Sequence, residues 1–201
     1  MPSVYQLKPG FQSLLRPLVR ACARAGITAN QVTIAAMLLS AATGVALLAW
    51  PMPRMLLLLP CVLLLRMALN AMDGMLAREH GQASPLGMML NELGDVVSDA
   101  VLYLPLALNP AFDARAIVVL VVLAALGEMA GVLAQVMGRA RRYDGPFGKS
   151  DRALLFGALG LALGLGVPDG VWLDVLLWLA ILPAALTVAN RVRMALRGDT
   201  R

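Results

Sequence analysis

Apolar residues gather in six long runs, at about 29–50, 55–77, 86–108, 115–138, 152–167 and 171–190. A helix needs roughly 20 such residues to cross the hydrocarbon core of a bilayer. The fifth run is shorter and rich in glycine. Turn-forming or polar breakers divide the runs: WPMPR at 50–54, REHGQASP at 78–85, NPAFDAR at 109–115, GRARRYDGPFGKSD at 138–151 and GVPDG at 166–170. No internal repeat and no low-complexity tract interrupts the pattern. The pattern predicts an all-α integral membrane fold with six transmembrane helices.

The first 28 residues follow a different rule. Phe11, Leu14, Leu15, Leu18 and Val19 recur at helical spacing, with Arg16, Arg20 and Arg24 on another arc. This predicts an amphipathic helix lying on the cytoplasmic leaflet, its arginines toward anionic headgroups. Pro17 predicts a break or bend in it. The expected organisation is a juxtamembrane segment at 1–28, a six-helix domain at 29–195 and a cytoplasmic tail at 196–201. No cleavable signal peptide is expected.

Composition agrees with the pattern. The 201 residues are 60% hydrophobic and 14% charged, with a mean hydropathy of +0.76. Soluble domains carry about 25% charged residues, and one of this size lacks the interior to hide so much apolar side chain. Lys8, Arg16, Arg20 and Arg24 precede the first run, and Arg78 lies between the second and third. Arg139, Arg141, Arg142, Lys149 and Arg152 separate the fourth from the fifth, and Arg191, Arg193, Arg197 and Arg201 close the chain. Only Arg54 and Arg115 fall on the opposite side, with Arg66 inside a run. By the positive-inside bias both termini are cytoplasmic, in a multi-pass protein of the inner membrane. The basic charge is thereby accounted for, and no nucleic-acid partner is expected. Cys22 and Cys61 form no CxxC or Cys/His cluster, so they read as free thiols.

Polar residues inside the runs carry the candidate chemistry. Asn70 and Asp73 are three apart near the end of the second run; Asn91, Asp95 and Asp99 recur every four residues in the third. Each set shares a helical face. Ionisable groups within a membrane span commonly face a water- or ion-filled cavity. Two such faces opposed would make a pocket of oxygen donors suited to a hard divalent cation, Mg²⁺ or Mn²⁺. Gly74, Ala77 and Gly87 remove bulk beside it, which serves a ligand approaching the backbone or close helix packing.

In register, these residues resemble the signature of the CDP-alcohol phosphotransferase family, D-x2-D-G-x2-A-R-x8-G-x3-D-x3-D. The chain reads Asn70, Asp73, Gly74, Ala77, Arg78, Gly87, Asn91, Asp95, with every spacing kept. Thr28, Asn30 and Thr33 echo the entry to the family's first span. The resemblance implies that a phosphatidyl group passes from CDP-diacylglycerol to a small alcohol and that CMP is released. It assigns Asn70, Asp73, Asn91 and Asp95 to a pair of divalent metals, Asp95 to the acceptor's proton, and Gly74, Ala77, Arg78 and Gly87 to the CDP donor. The chain departs at the first and third aspartates, which are Asn70 and Asn91. An amide oxygen can ligate but carries no charge. Two divalent ions, two aspartates and a diphosphate diester balance to neutrality, so the second ion is expected to enter with the diphosphate. Glu92 and Asp99 are candidate substitutes for the missing acids.

GPFGKSDR at 145–152 is not a nucleotide P-loop, because Tyr143 stands where the first glycine is needed and no strand precedes it. Arg139, Arg142, Lys149 and Arg152 read instead as an anion pocket for the phosphate of an acceptor such as glycerol 3-phosphate. Positive-inside charge on lipid headgroups is the plainer alternative. His80 reads as a solvated loop residue. Gly127/Gly131 and Gly160/Gly164 form GxxxG patterns that suit helix packing or a homodimer interface. Glu128 needs a partner within the membrane, for which Arg66 is the candidate. Two rival functions remain: a catalytically weak relative that binds CDP-lipid, and a small transporter using its intramembrane acids. CMP release from CDP-diacylglycerol separates the transferase from both.

Overall fold

The computed structural model of the chain describes residues 8–197. Most of the expected tail, 198–201, lies outside the described residues, as do residues 1–7. The described residues form helices joined by loops: α1 (Lys8–Arg24), α2 (Ala29–Ala49), α3 (Leu58–Glu79), α4 (Pro85–Tyr103), α5 (Ala114–Val136), α6 (Lys149–Gly164) and α7 (Val171–Arg197). Short 3₁₀ turns at Pro53–Leu57 and Leu104–Leu108 lead into α3 and extend α4.

Local chemistry sets the helix starts. Thr28 caps α2: its Oγ1 accepts from the Gln31 amide at 3.2 Å, while the Gln31 side chain accepts from the Thr28 amide at 2.9 Å. Ser84 caps α4 by accepting from the Gly87 amide at 3.0 Å, ahead of a proline at the first helical position. Asp113 caps α5. The Ala116 amide, the Trp178 indole and the Arg115 amide all donate to its carboxylate, which holds it below the usual carboxylate range.

The helices pack in a fixed set of neighbours. α5 lies on α7, α2 on α3 and α4, α3 on α6, and α1 on α3. The main core joins Leu59 and Leu63 of α3, Leu102 and Tyr103 of α4, Ile117 and Leu120 of α5, Phe156 of α6 and Leu177 of α7. Tyr103 stacks on Phe156 with ring centroids 4.2 Å apart. A smaller cluster fastens α1 through fully buried Val19 to Val32 of α2 and Met72, Met75 and Leu76 of α3.

The contact of α2 with α4 is close because bulk is missing. A Cβ on Gly44 would stand 2.0 Å from the Val101 carbonyl oxygen. On α4, Gly87 meets Asn30 and Gly94 meets Met37. Gly87, Gly94 and Val101 are seven residues apart, two turns each, so one stripe of α4 faces α2 along its length. Gly87 thus packs closely on Asn30 of α2.

Four helical stretches are long and apolar enough to cross a membrane: Ala29–Ala49, Pro53–Glu79, Ala114–Val136 and Val171–Arg197. α4 carries Glu92, Asp95 and Asp99 within its 19 residues, and α6 has 16 residues. Large apolar side chains such as Leu38, Val45, Leu64, Leu133, Leu179 and Leu182 point outward, as a lipid-facing surface requires.

Several expectations need correction. α1 runs unbroken through Pro17. The last helix continues to Arg197, beyond the expected 190, and α6 begins at Lys149 instead of 152. The GxxxG glycines take the helix-packing use that the sequence offered: a Cβ on Gly160 would meet Leu56, one on Gly164 would meet Leu57, and one on Gly131 would stand 2.6 Å from the Arg142 carbonyl oxygen.

Candidate active site

α3 and α4 are consecutive and joined by a short loop, so the two halves of the 70–95 segment lie at the same end of the bundle. Asn70, Asp73, Gly74, Ala77 and Arg78 come from α3; Gly87, Asn91 and Asp95 come from α4. Asp73 is buried, and Thr33 of α2 donates to its Oδ2 at 2.8 Å. α2 is held over this end by a further bond, from the Ala29 amide to the Gln82 side chain of the α3–α4 loop at 2.7 Å. Thr28, Asn30 and Thr33 thus cap α2, pack on Gly87 and orient Asp73 respectively. Arg78 folds back along its own helix, its guanidinium 3.0 Å from where a Gly74 Cβ would stand. Asn70, Asn91 and Asp95 are half-buried.

Lys149, the first residue of α6, forms an ion pair with Asp95 through Oδ1. Asp95 and Lys149 also act electrostatically on Asp73, so the three groups share one site. The loop before Lys149 is pinned on both sides. The Arg142 amide donates to the Gly131 carbonyl of α5 at 3.2 Å, and the Phe147 amide donates to Thr187 Oγ1 of α7 at 2.9 Å. Gly145, with φ near +140°, fits its backbone against Thr187 where a Cβ would come within 2.6 Å.

The donor set of Asn70, Asp73, Asn91 and Asp95 is all oxygen, which suits a hard divalent cation. Only two of the four are charged, and no group of three or more His, Cys, Asp or Glu side chains able to hold a metal occurs among the described residues. The residues fit Mg²⁺ or Mn²⁺ in donor type while supplying little charge.

Behind this site runs a buried ionic network. Asp99 sits between two guanidiniums, Arg66 at 3.0 Å and Arg152 at 2.9 Å. Glu128 meets Arg141 at 2.9 Å, Arg152 at 3.3 Å and Arg191 at 3.3 Å. Arg141 reaches Glu92 at 2.7 Å. Burial opposes the charge on Arg141, but Glu92, Tyr143 and Glu128 outweigh it and raise its pKa further. Arg191 also donates to the Gly127 carbonyl at 2.7 Å.

This arrangement revises the sequence expectations. Arg66 pairs with Asp99, not with Glu128. Asp99, enclosed by arginines, is not a substitute metal ligand, and Glu92 is engaged by Arg141. The four cations expected at one rim do not form one pocket. Arg152 is only 4% exposed and faces inward, Lys149 faces Asp95, Arg142 donates to the Met194 carbonyl at 3.2 Å, and Arg139 is half-buried. Arg141 and Arg191 entered the sequence reading only as orientation charges. Their partners were legible in part, since Glu92, Asp95 and Asp99 share a face of α4.

The geometry accords with known proteins. The chain matches the CDP-alcohol phosphatidyltransferase family over residues 26–189 and belongs to it. It is 47% identical over 195 residues to the inner membrane protein YnbA of Escherichia coli (strain K12), covering 96% of each chain. It is similar to the phosphatidylinositol phosphate synthase PgsA1 of Mycobacterium tuberculosis with CDP-DAG bound, at a TM-score of 0.76 and 25% identity, covering 92% of this chain and 94% of that one. The same synthase in complex with manganese and citrate gives a TM-score of 0.76 at 24% identity, covering 92% of this chain and 90% of that one.

Proposed function

We propose that this protein transfers a phosphatidyl group from CDP-diacylglycerol to the hydroxyl of an alcohol and releases CMP. Six helices cross the inner membrane in this reading, with both termini cytoplasmic and α1 on the cytoplasmic leaflet. The observation that carries it is the family signature kept in register, with Asp73 on α3 and Asp95 on α4 at the same end of the bundle. Family membership and the fold shared with a synthase solved with CDP-DAG support the donor.

Asn70, Asp73, Asn91 and Asp95 would hold the divalent metal, and Gly74, Ala77, Arg78 and Gly87 would line the CDP path. A cation there would neutralise the diphosphate oxygens and the departing CMP. Asp95 accepts the proton of the acceptor hydroxyl. That oxygen bonds to the β-phosphorus as the bond from this phosphorus to the oxygen of CMP breaks. Lys149 holds Asp95 through Oδ1, which leaves Oδ2 as the oxygen that receives the proton. Thr33 keeps Asp73 oriented meanwhile.

The test is purified protein with labelled CDP-diacylglycerol, Mg²⁺ or Mn²⁺, and a panel of alcohols. CMP and a new phospholipid are expected in equal amounts. Asn70 and Asn91 favour a second reading, a relative that binds CDP-lipid with little turnover. Nucleotide binding without CMP release with any alcohol would establish that one instead.

A further inference from the structure

Two of the cations that the sequence offers to an anionic acceptor, Lys149 and Arg152, meet carboxylates of the chain itself. Around the site stand Arg66, Arg141, Lys149, Arg152 and Arg191, and each has an ion pair with one or more of Glu92, Asp95, Asp99 and Glu128. These five cations face four carboxylates, which neutralise most of their charge. Glu92 is the carboxylate nearest the chemistry. It precedes Asp95 by three residues on the same face of α4 and lies within electrostatic reach of both Asp95 and Lys149. One of its oxygens takes the Arg141 guanidinium; the other, Oε2, is buried and has no hydrogen-bond partner among the described residues.

We propose that Glu92, with Glu128 behind it, determines acceptor specificity, directing transfer to an uncharged polyol and turning away a phosphorylated one. This rests on the phosphatidyl-transfer reading above. An ionised carboxylate only accepts hydrogen bonds. The vacant Glu92 oxygen therefore matches a hydroxyl and repels a phosphate oxygen. A phosphate brought to Arg141 would approach two carboxylates already held 2.7 and 2.9 Å from that guanidinium. A polyol meets no such opposition: one hydroxyl donates to Glu92 while a neighbouring one presents its proton to Asp95. Glycerol 3-phosphate, suggested by the basic loop, loses its support here, because Lys149 and Arg152 are both engaged by acids.

The test has a binding arm and a turnover arm, both on the full-length protein in detergent. In the first, inorganic phosphate and glycerol 3-phosphate are titrated calorimetrically into wild type and Glu92→Gln. The isosteric amide removes the repelling charge, and phosphate binding is expected to tighten at least tenfold. In the second, glycerol and glycerol 3-phosphate compete for labelled CDP-diacylglycerol. Wild type is expected to favour glycerol at least tenfold in kcat/KM, and Glu92→Gln to raise the glycerol KM with kcat nearly held and to narrow that preference. If Glu92→Gln does not fold, Glu92→Asp serves, with phosphate still excluded and the glycerol KM raised. Preference of the wild type for glycerol 3-phosphate, or unchanged phosphate binding in Glu92→Gln, overturns this proposal and leaves the transfer reading standing. Absence of CMP with every acceptor overturns both.

Discussion

An aspartate cannot take a proton through an oxygen that already holds an ammonium, and that competition organises the residue scale. Asp95→Asn removes the proposed base but keeps an oxygen donor. Turnover is expected to fall about 10²–10⁴-fold, with CDP-lipid binding within about tenfold of wild type in an equilibrium binding assay. Lys149→Met removes the cation paired with Asp95, which would compete with the proposed metal for that carboxylate. Divalent binding to the ligand-free protein should tighten several-fold in calorimetry, because like charges at close range in a partly dry site repel strongly. Unchanged metal affinity in this variant would place Lys149 outside the metal's reach. The sequence made Asp73 and Asp95 legible, because spacing alone puts them in register. It could not reveal that Lys149 turns to Asp95 or that Arg66 turns to Asp99, since many arginine and acid pairings satisfy the same linear order.

Helices and their loop govern how firmly these side chains are held. The helices were legible from hydrophobic runs, with ends misplaced by a few residues where polar residues continue a helix past its apolar run, as α7 does to Arg197. The α2–α4 contact was not legible as such, because small residues read equally as ligand clearance or as packing. Gly44→Leu would force a side chain into the Val101 carbonyl, and the expected result is loss of folded, monodisperse protein in size-exclusion chromatography. The loop before α6 is a subtler element. Gly145→Ala would strain a left-handed backbone at a cost of about 1–3 kcal/mol and press on Thr187. Its thermal midpoint should fall and its turnover should fall too, because the same loop delivers Lys149. A variant with full stability and activity would show that the loop is not rigid.

At the scale of the whole molecule, the ionic network joins helices that are far apart in sequence: α3, α4, α5, α6 and α7 through Arg66, Asp99, Glu128, Arg152 and Arg191. Removing one partner of a buried pair typically costs about 3–5 kcal/mol. Glu128→Gln, which leaves three guanidiniums short of a counter-charge, should therefore lower the thermal unfolding midpoint markedly. Arg16→Ala, breaking the exposed pair with Glu79 at 2.9 Å, should barely move it. The network also dictates a schedule for biogenesis. With α4 and α6 crossing as proposed, each brings charges that cost roughly 2.5–3.5 kcal/mol apiece for a solitary helix leaving the translocon. Their counter-charges lie on other helices, and Arg191 arrives only with α7, after α1 to α6 have emerged from the ribosome. In that reading early helices wait beside the translocon, half-neutralised, until α7 is made, and a nascent chain stalled before residue 191 would be the natural substrate of membrane quality control.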